Sequence, residues 1–293
     1  MAPAAADSTT TRPSLAYSLP AFRPDGYRPA PQWLGTLREL GFRSVVLHPT
    51  YAVFEDLRID VLAAPSIADA VGAARTLGMA VRLEPHLDWW PTLHGGSYEW
   101  RRSMRVDPQG EYFDVVLGPA AALAPDELTI GSELDLSAYE FTSQWEATAE
   151  RLRGGLSRIG HKVNHDVFAS EWRPDKKRRL RRYLDNLDFK AMSFYPAGEW
   201  TLPEGWTIGE FGLGSTDITR PWHFDASTFQ TAEDFSIRQD WYLRFFEWLP
   251  VSGAIGAAAF WTAGHFDVLG VMHPEWRDDA VLEAVRAYNY ASP

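Results

Sequence analysis

Apolar and polar positions follow two rhythms along the chain. Short apolar runs closed by Gly, Pro or charge read as buried strands. Longer stretches with apolar residues three and four apart read as helices. The runs LAYSL (Leu15–Leu19), SVVLHP (Ser44–Pro49), AVRLEPHLDWW (Ala80–Trp90), LTIGSEL (Leu128–Leu134), HKVNHDVF (His161–Phe168), FKAMSFYP (Phe189–Pro196), WTIGEFG (Trp206–Gly212) and IGAAAFWTAG (Ile255–Gly264) predict eight strands. WLGTLREL (Trp33–Leu40), SIADAVGAARTLG (Ser66–Gly78), FTSQWEATAERLRGGLSRIG (Phe141–Gly160), PDKKRRLRRYLDNL (Pro174–Leu187), FSIRQDWYLRFFEWL (Phe235–Leu249) and DAVLEAVRAYN (Asp279–Asn289) predict helices. Ser66 suits an N-cap, Gly41 and Gly78 suit C-caps, and Pro174 suits a first helical turn. Gly154 and Gly155 interrupt the third of these helices. The alternation predicts an α/β protein, a (β/α)8 TIM barrel of parallel strands. Only AGEWTLPEG separates the sixth and seventh runs. That is too short for a crossover helix, so this helix is expected to be missing or reduced. A doubly wound open sheet is the alternative, but no Gly-rich phosphate loop follows the first strand.

Composition narrows the function. The 293 residues carry Lys+Arg 28 against Asp+Glu 39, a net charge of -11, which argues against a nucleic-acid partner. The basic run KKRRLRR (Lys176–Arg182) reads as the solvated face of a helix. Without cysteine there is no disulfide frame, no thiolate nucleophile and no Cys-ligated metal. No apolar run is long enough to span a bilayer, so no membrane partner is expected. The first residues, MAPAAADSTTTRPS, lack the charged and apolar regions of a signal peptide. They read as a disordered tail over residues 1–13, followed by one catalytic barrel over residues 14–293. A cytoplasmic monomer is expected, with a processed secreted chain as the alternative. The 13 Trp, 11 Tyr and 16 Phe supply mostly core, but many Trp stand in loop-like contexts where flat rings could stack on sugars.

Two strand ends carry the chemistry. Glu133 closes the fourth apolar run, and Glu210 closes the seventh, each preceded by small residues. Strands four and seven face each other across an eight-stranded barrel, and their C-terminal ends line its catalytic face. Two carboxyl groups about 5–5.5 Å apart are what hydrolysis of a glycoside with retention needs. Either glutamate alone reads as an ordinary surface carboxylate; the repeated placement favours a pair.

IGSEL and IGEFG resemble the acid/base and nucleophile motifs of glycoside hydrolase family 113, the endo-β-1,4-mannanases, within the retaining (β/α)8 enzymes of clan A. RLEPHLD (Arg82–Asp88) resembles that family's third-strand motif, MSFYP its sixth strand, and FWTAGHFDVLG (Phe260–Gly270) its eighth. The resemblance implies that Glu133 is the acid/base and Glu210 the nucleophile, with Tyr195 hydrogen-bonded to Glu210. It implies Glu210 ionised, helped by Tyr195 and Arg82, and Glu133 protonated in the free enzyme, its pKa raised by burial and by Glu210. Three departures, the missing sixth helix among them, mark the substrate as the open point. Ser132 stands where most clan members have Asn, and Glu84 stands where the family usually has Lys.

Substrate-binding candidates are Arg82, His86, Asp88, Trp89, Trp90, Ser132, Trp172, Trp222 and Trp261, with Trp200 a further ring that could equally be core. No cofactor and no metal are expected: the first strand has no His-x-His pair, although His86 and Asp88 would make half a site. No Gly-x-Ser-x-Gly elbow is present, so a serine hydrolase is disfavoured. The partner is a carbohydrate substrate, with β-1,4-mannan leading. The alternatives are a β-glucan, or a barrel that binds carbohydrate without cleaving it.

Overall fold

The computed structural model describes residues 12–21, 30–56, 58–61, 67–90, 101–156, 158–167 and 173–291. Within them the strands are β1 (Ser14–Ala21), β2 (Ser44–Val53), β3 (Ile59–Val61), β4 (Ala80–Leu83), β5 (His86–Trp89), β6 (Glu127–Ser132), β7 (Ile159–Asn164), β8 (Phe189–Ser193), β9 (Thr207–Glu210) and β10 (Ala257–Phe260). Eight of them pair in parallel in the order β10-β1-β2-β4-β6-β7-β8-β9. Phe211, just past β9, bridges Phe260 in parallel and brings the two ends of the sheet together. This is a TIM barrel whose eight staves are β1, β2, β4, β6, β7, β8, β9 and β10. The short β3 and β5 both pair with the outer part of β2.

The helices are α1 (Ala30–Glu39), α2 (Ile67–Thr76), α3 (Gly118–Ala122), α4 (Asp135–Glu140), α5 (Thr142–Arg153), α6 (Pro174–Asp185), α7 (Ala232–Trp248) and α8 (Asp279–Tyr290). None lies between β8 and β9, as the short connection requires. In α6 Leu180, Tyr183 and Leu184 are buried while Arg178, Arg179, Arg181 and Arg182 are exposed, so the basic run is a solvated helix face. α7 is started by a capping box, in which Thr231 accepts from the Asp234 N–H and Asp234 accepts from the Thr231 N–H. It buries Trp241, Tyr242, Phe245 and Phe246; Phe245 stacks on Phe211 with ring centroids 3.9 Å apart. Each such aromatic contributes about 2–3 kcal/mol of burial, so α7 clamps the stretch that follows Glu210.

Several boundaries differ from the sequence pattern, three of them instructively. The third run is two strands: Glu84 N–H still donates to Leu47 O, but Pro85 has no N–H and the pairing restarts at β5, Thr50 opposite His86. The fifth strand begins at Ile159 and stops at Asn164, so His165 lies in the following turn. α5 ends at Gly154 instead of running through the Gly pair. Ser66 and its expected capping role lie outside the described residues, as does most of the 1–13 segment.

Candidate active site

Both strand-end glutamates are buried, Glu133 at 8% and Glu210 at 4% exposure. Local backbone irregularity aims them. The β6–β7 register shifts between Thr129 and Ser132, and the β8–β9 register shifts between Met192 and Ser193. Such bulges redirect side chains at strand ends. Glu133 has φ +58, a left-handed conformation costly for a residue with a Cβ, and its N–H donates to Lys162 O at 2.9 Å. The glycines before the acids are packing requirements. A Cβ on Gly131 would stand 2.3 Å from the His161 ring, and one on Gly209 would stand 2.7 Å from Lys162 Cδ.

Glu210 is held from two sides. Tyr195 donates its hydroxyl to Oε1 at 2.7 Å, the bond that the sixth-strand resemblance implies. Lys162 donates to Oε2 at 2.5 Å, with its Nζ also 2.5 Å from Glu84 Oε1. Burial opposes a charge on Lys162, but Glu210, Glu84 and Glu133 outweigh it and its pKa is raised. Burial lifts the Glu210 carboxyl, Lys162 pulls it down, and the charge of Glu133 lifts it again, leaving it raised.

Glu133 accepts from Ser193 Oγ at 2.6 Å on Oε1 and from Arg101 Nη2 at 2.9 Å and Nε at 3.1 Å on Oε2. Burial lifts its pKa, but Arg101, then Lys162, then the Ser193 hydrogen bond bring it down to about 2. Glu133, expected protonated, is thus held ionised, because a guanidinium sits on it. Arg101 also donates to Asp88 Oδ1 at 2.9 Å and faces His86 Nδ1 at 3.3 Å.

Around Glu84 the polar network closes. Ser132 Oγ donates to Oε1 at 3.2 Å, and Thr129 Oγ1 to Oε2 at 3.3 Å. His86 Nε2 lies 3.3 Å from Oε1 and 3.0 Å from His48 Nδ1. Burial, followed by Arg101, lowers His86 to about 4; burial, followed by His86, lowers His48 as well, so both rings are neutral. Among the described residues His48, Glu84 and His86 form the group with metal-ligand spacing, their ligand atoms all within 4.8 Å. The Glu84 oxygen that faces both rings already meets the Lys162 ammonium, a cation in the place where a metal would seek its negative ligand.

The remaining candidates divide. Trp261 stacks against His86 at 5.6 Å between centroids and lies in a small cluster with Tyr195, Ala263 and Phe266. Trp222 is 38% exposed and tilted over His165 at 5.2 Å. Trp90 packs on Phe54 at 4.9 Å. Trp89 packs against the main core and lines a cavity of about 450 Å³ with Met104 and Tyr112, which neither Glu133 nor Glu210 lines. Trp200 packs in the main core, edge-on to Trp248. Arg82 does not support Glu210: its Nε pairs with Glu127 Oε2 at 2.7 Å, at the opposite, N-terminal end of β6. Lys162 takes the place expected for it. Ser132 is turned to Glu84. Trp172 lies outside the described residues.

Lys162, Arg101, Ser193 and His48 join the site without having been singled out as site residues. Lys162 carried a signal, a lysine inside an apolar strand. Arg101, in a long connection, carried none.

No family model matches the chain, and no curated protein sequence does. Solved structures do. A GH113 β-1,4-mannanase in complex form aligns with TM-score 0.67 over 94% of this chain and 98% of that one, at 14% identity. This is the fold of the GH113 β-mannanases. The GH113 β-mannanase AaManA of Alicyclobacillus acidocaldarius, in complex with ManMIm, aligns with TM-score 0.66 over 95% and 97%, at 16% identity. A GH5_18 protein of Bifidobacterium longum subsp. longum, in complex with Manb1-4GlcNAc, aligns with TM-score 0.56 over 96% and 79%, at 9% identity. Lys162 reaches the Glu84–Glu210 cluster from β7.

Proposed function

We propose that this chain is a retaining glycoside hydrolase acting on β-1,4-linked mannan or its oligosaccharides. The observation that carries the reading is the pair of buried carboxylates at the ends of barrel strands four and seven. One is bonded to a tyrosine and a lysine, the other to a serine and an arginine. The folds of β-mannanases support the substrate class.

In the first step a Glu210 oxygen attacks the anomeric carbon. The glycosidic C–O bond breaks, its electron pair stays on the leaving oxygen, and that oxygen takes a proton from Glu133. Tyr195 and Lys162 orient the Glu210 carboxylate. In the second step Glu133 takes a proton from water, whose oxygen displaces Glu210 from the sugar. Glu133 serves as an acid only when protonated, so substrate entry must take Arg101 off its Oε2. Trp261, at the end of the eighth strand and clustered with Tyr195, is assigned the role of flooring the reacting sugar.

A panel of mannan, mannooligosaccharides and β-glucans with reducing-end detection tests the substrate. Glu210→Gln keeps the shape and removes the nucleophile, so turnover should fall at least ~10⁴-fold; appreciable residual activity sinks the assignment. The Arg101–Glu133 ion pair is the one observation favouring the second reading, a barrel that binds saccharide without cleaving it. Binding of mannooligosaccharide with no release of reducing ends would select that reading.

A further inference from the structure

Three side chains on alternate staves meet in one layer of the barrel: Glu84 just after β4, Lys162 in β7 and Glu210 at the end of β9. Alternate strands fill a TIM-barrel interior in such layers, usually with apolar residues. Here the layer is an ion triad. Glu84 and Lys162 are fully buried, and the ammonium lies 2.5 Å from each carboxylate.

We propose that Glu84 is a standing counter-ion for Lys162, so that Glu210 can lose its charge without leaving a buried ammonium unpaired. The inference rests on the reading of Glu210 as nucleophile. When Glu210 becomes an ester its carboxylate charge disappears, and Lys162 would otherwise have no carboxylate in contact, Glu133 acting on it only through space. An unpaired buried charge is far more costly than a paired one. With Glu84 at hydrogen-bond distance, and itself held by Ser132, Thr129 and His86, the Lys162–Glu84 pair is neutral before, during and after the covalent step. Lys162 and Glu84 are thus positioning residues: Lys162 acts on Glu210, and Glu84 acts through Lys162.

Unfolding temperatures of a variant set, read by calorimetry at pH 7, test the counter-ion without needing activity. Glu210→Gln, neutral like the esterified residue, should cost little, because Lys162 keeps Glu84. Glu84→Gln should fold, because Lys162 keeps Glu210. The Glu84→Gln/Glu210→Gln double variant orphans the ammonium and should unfold about 10 °C below the sum of the two single effects, or fail to fold. Adding Lys162→Met should recover most of that loss. A double variant whose loss is merely the sum of the singles overturns the proposal, and so does a Glu84→Gln chain that cannot fold. The catalytic consequence is read with a 2-deoxy-2-fluoro mannosyl probe. Glu84→Gln should capture it covalently at least ten-fold more slowly, with binding of a competitive mannobiose-type inhibitor unchanged. Capture at the wild-type rate overturns the positioning role. A wild type that neither hydrolyses mannosides nor captures the probe, while the temperature cycle holds, removes the functional reading and leaves the counter-ion standing.

Discussion

At position 209 a methyl group would meet Lys162 Cδ at 2.7 Å and Ala191 Cβ at 3.1 Å. Lys162 cannot swing clear, because its ammonium is fixed between Glu84 and Glu210. Gly209→Ala should therefore destabilise the barrel by about 1–3 kcal/mol, the cost of overpacking, and lower turnover at least ten-fold by displacing Lys162 from Glu210. Calorimetry and steady-state rates check both; a variant that keeps the wild-type melting temperature and rate refutes the packing account. The same contact explains the short motif. The glycine just ahead of each acid admits a large side chain from β7: His161 beside Gly131 from the neighbouring strand, and Lys162 beside Gly209 from across β8. The sequence displayed the glycines and the acids, but not the partners that make the glycines necessary. Those partners come from β7, whose Lys162 reaches the catalytic face.

At the scale of elements, the strand-ends place Glu133, Ser193 and Glu210 through bulges, whereas Arg101 arrives on the long connection between β4 and β6. Periodicity reveals strands, because a buried strand must be apolar. It does not reveal a connection that folds back over the site, so Arg101 was invisible while Glu133 was not. Arg82 lies inside a strand motif, and the motif does not display that its position on β4 directs it to Glu127 instead of Glu210. The arginine makes a sharp pH prediction. Glu133 must be protonated to act as acid, so the rate falls as pH rises through its pKa. Arg101, followed by Lys162 and the Ser193 hydrogen bond, holds that pKa down to about 2 in the free protein. Arg101→Gln removes the cation, the pKa rises, and the alkaline limb of kcat/KM should move upward by about 1–3 pH units. An alkaline limb that stays in place or moves down contradicts the role given to this ion pair.

At the scale of the molecule, the barrel was readable because eight apolar runs alternate with amphipathic stretches, and the one short connection correctly announced a missing helix between β8 and β9. The exact ends were less readable, because Pro85 and Gly154 act through hydrogen bonds that a pattern of apolar residues does not display. Among the described residues no helix is long and apolar enough to cross a membrane. The interior is where the molecule departs from an ordinary barrel. Four carboxylates, a lysine and an arginine are joined by hydrogen bonds at its C-terminal face, and their arrangement is the basis for proposing double displacement. Proton NMR of the first sugar released from mannohexaose tests that proposal most directly. The account predicts that the β-anomer appears first and then mutarotates; initial release of the α-anomer would contradict it.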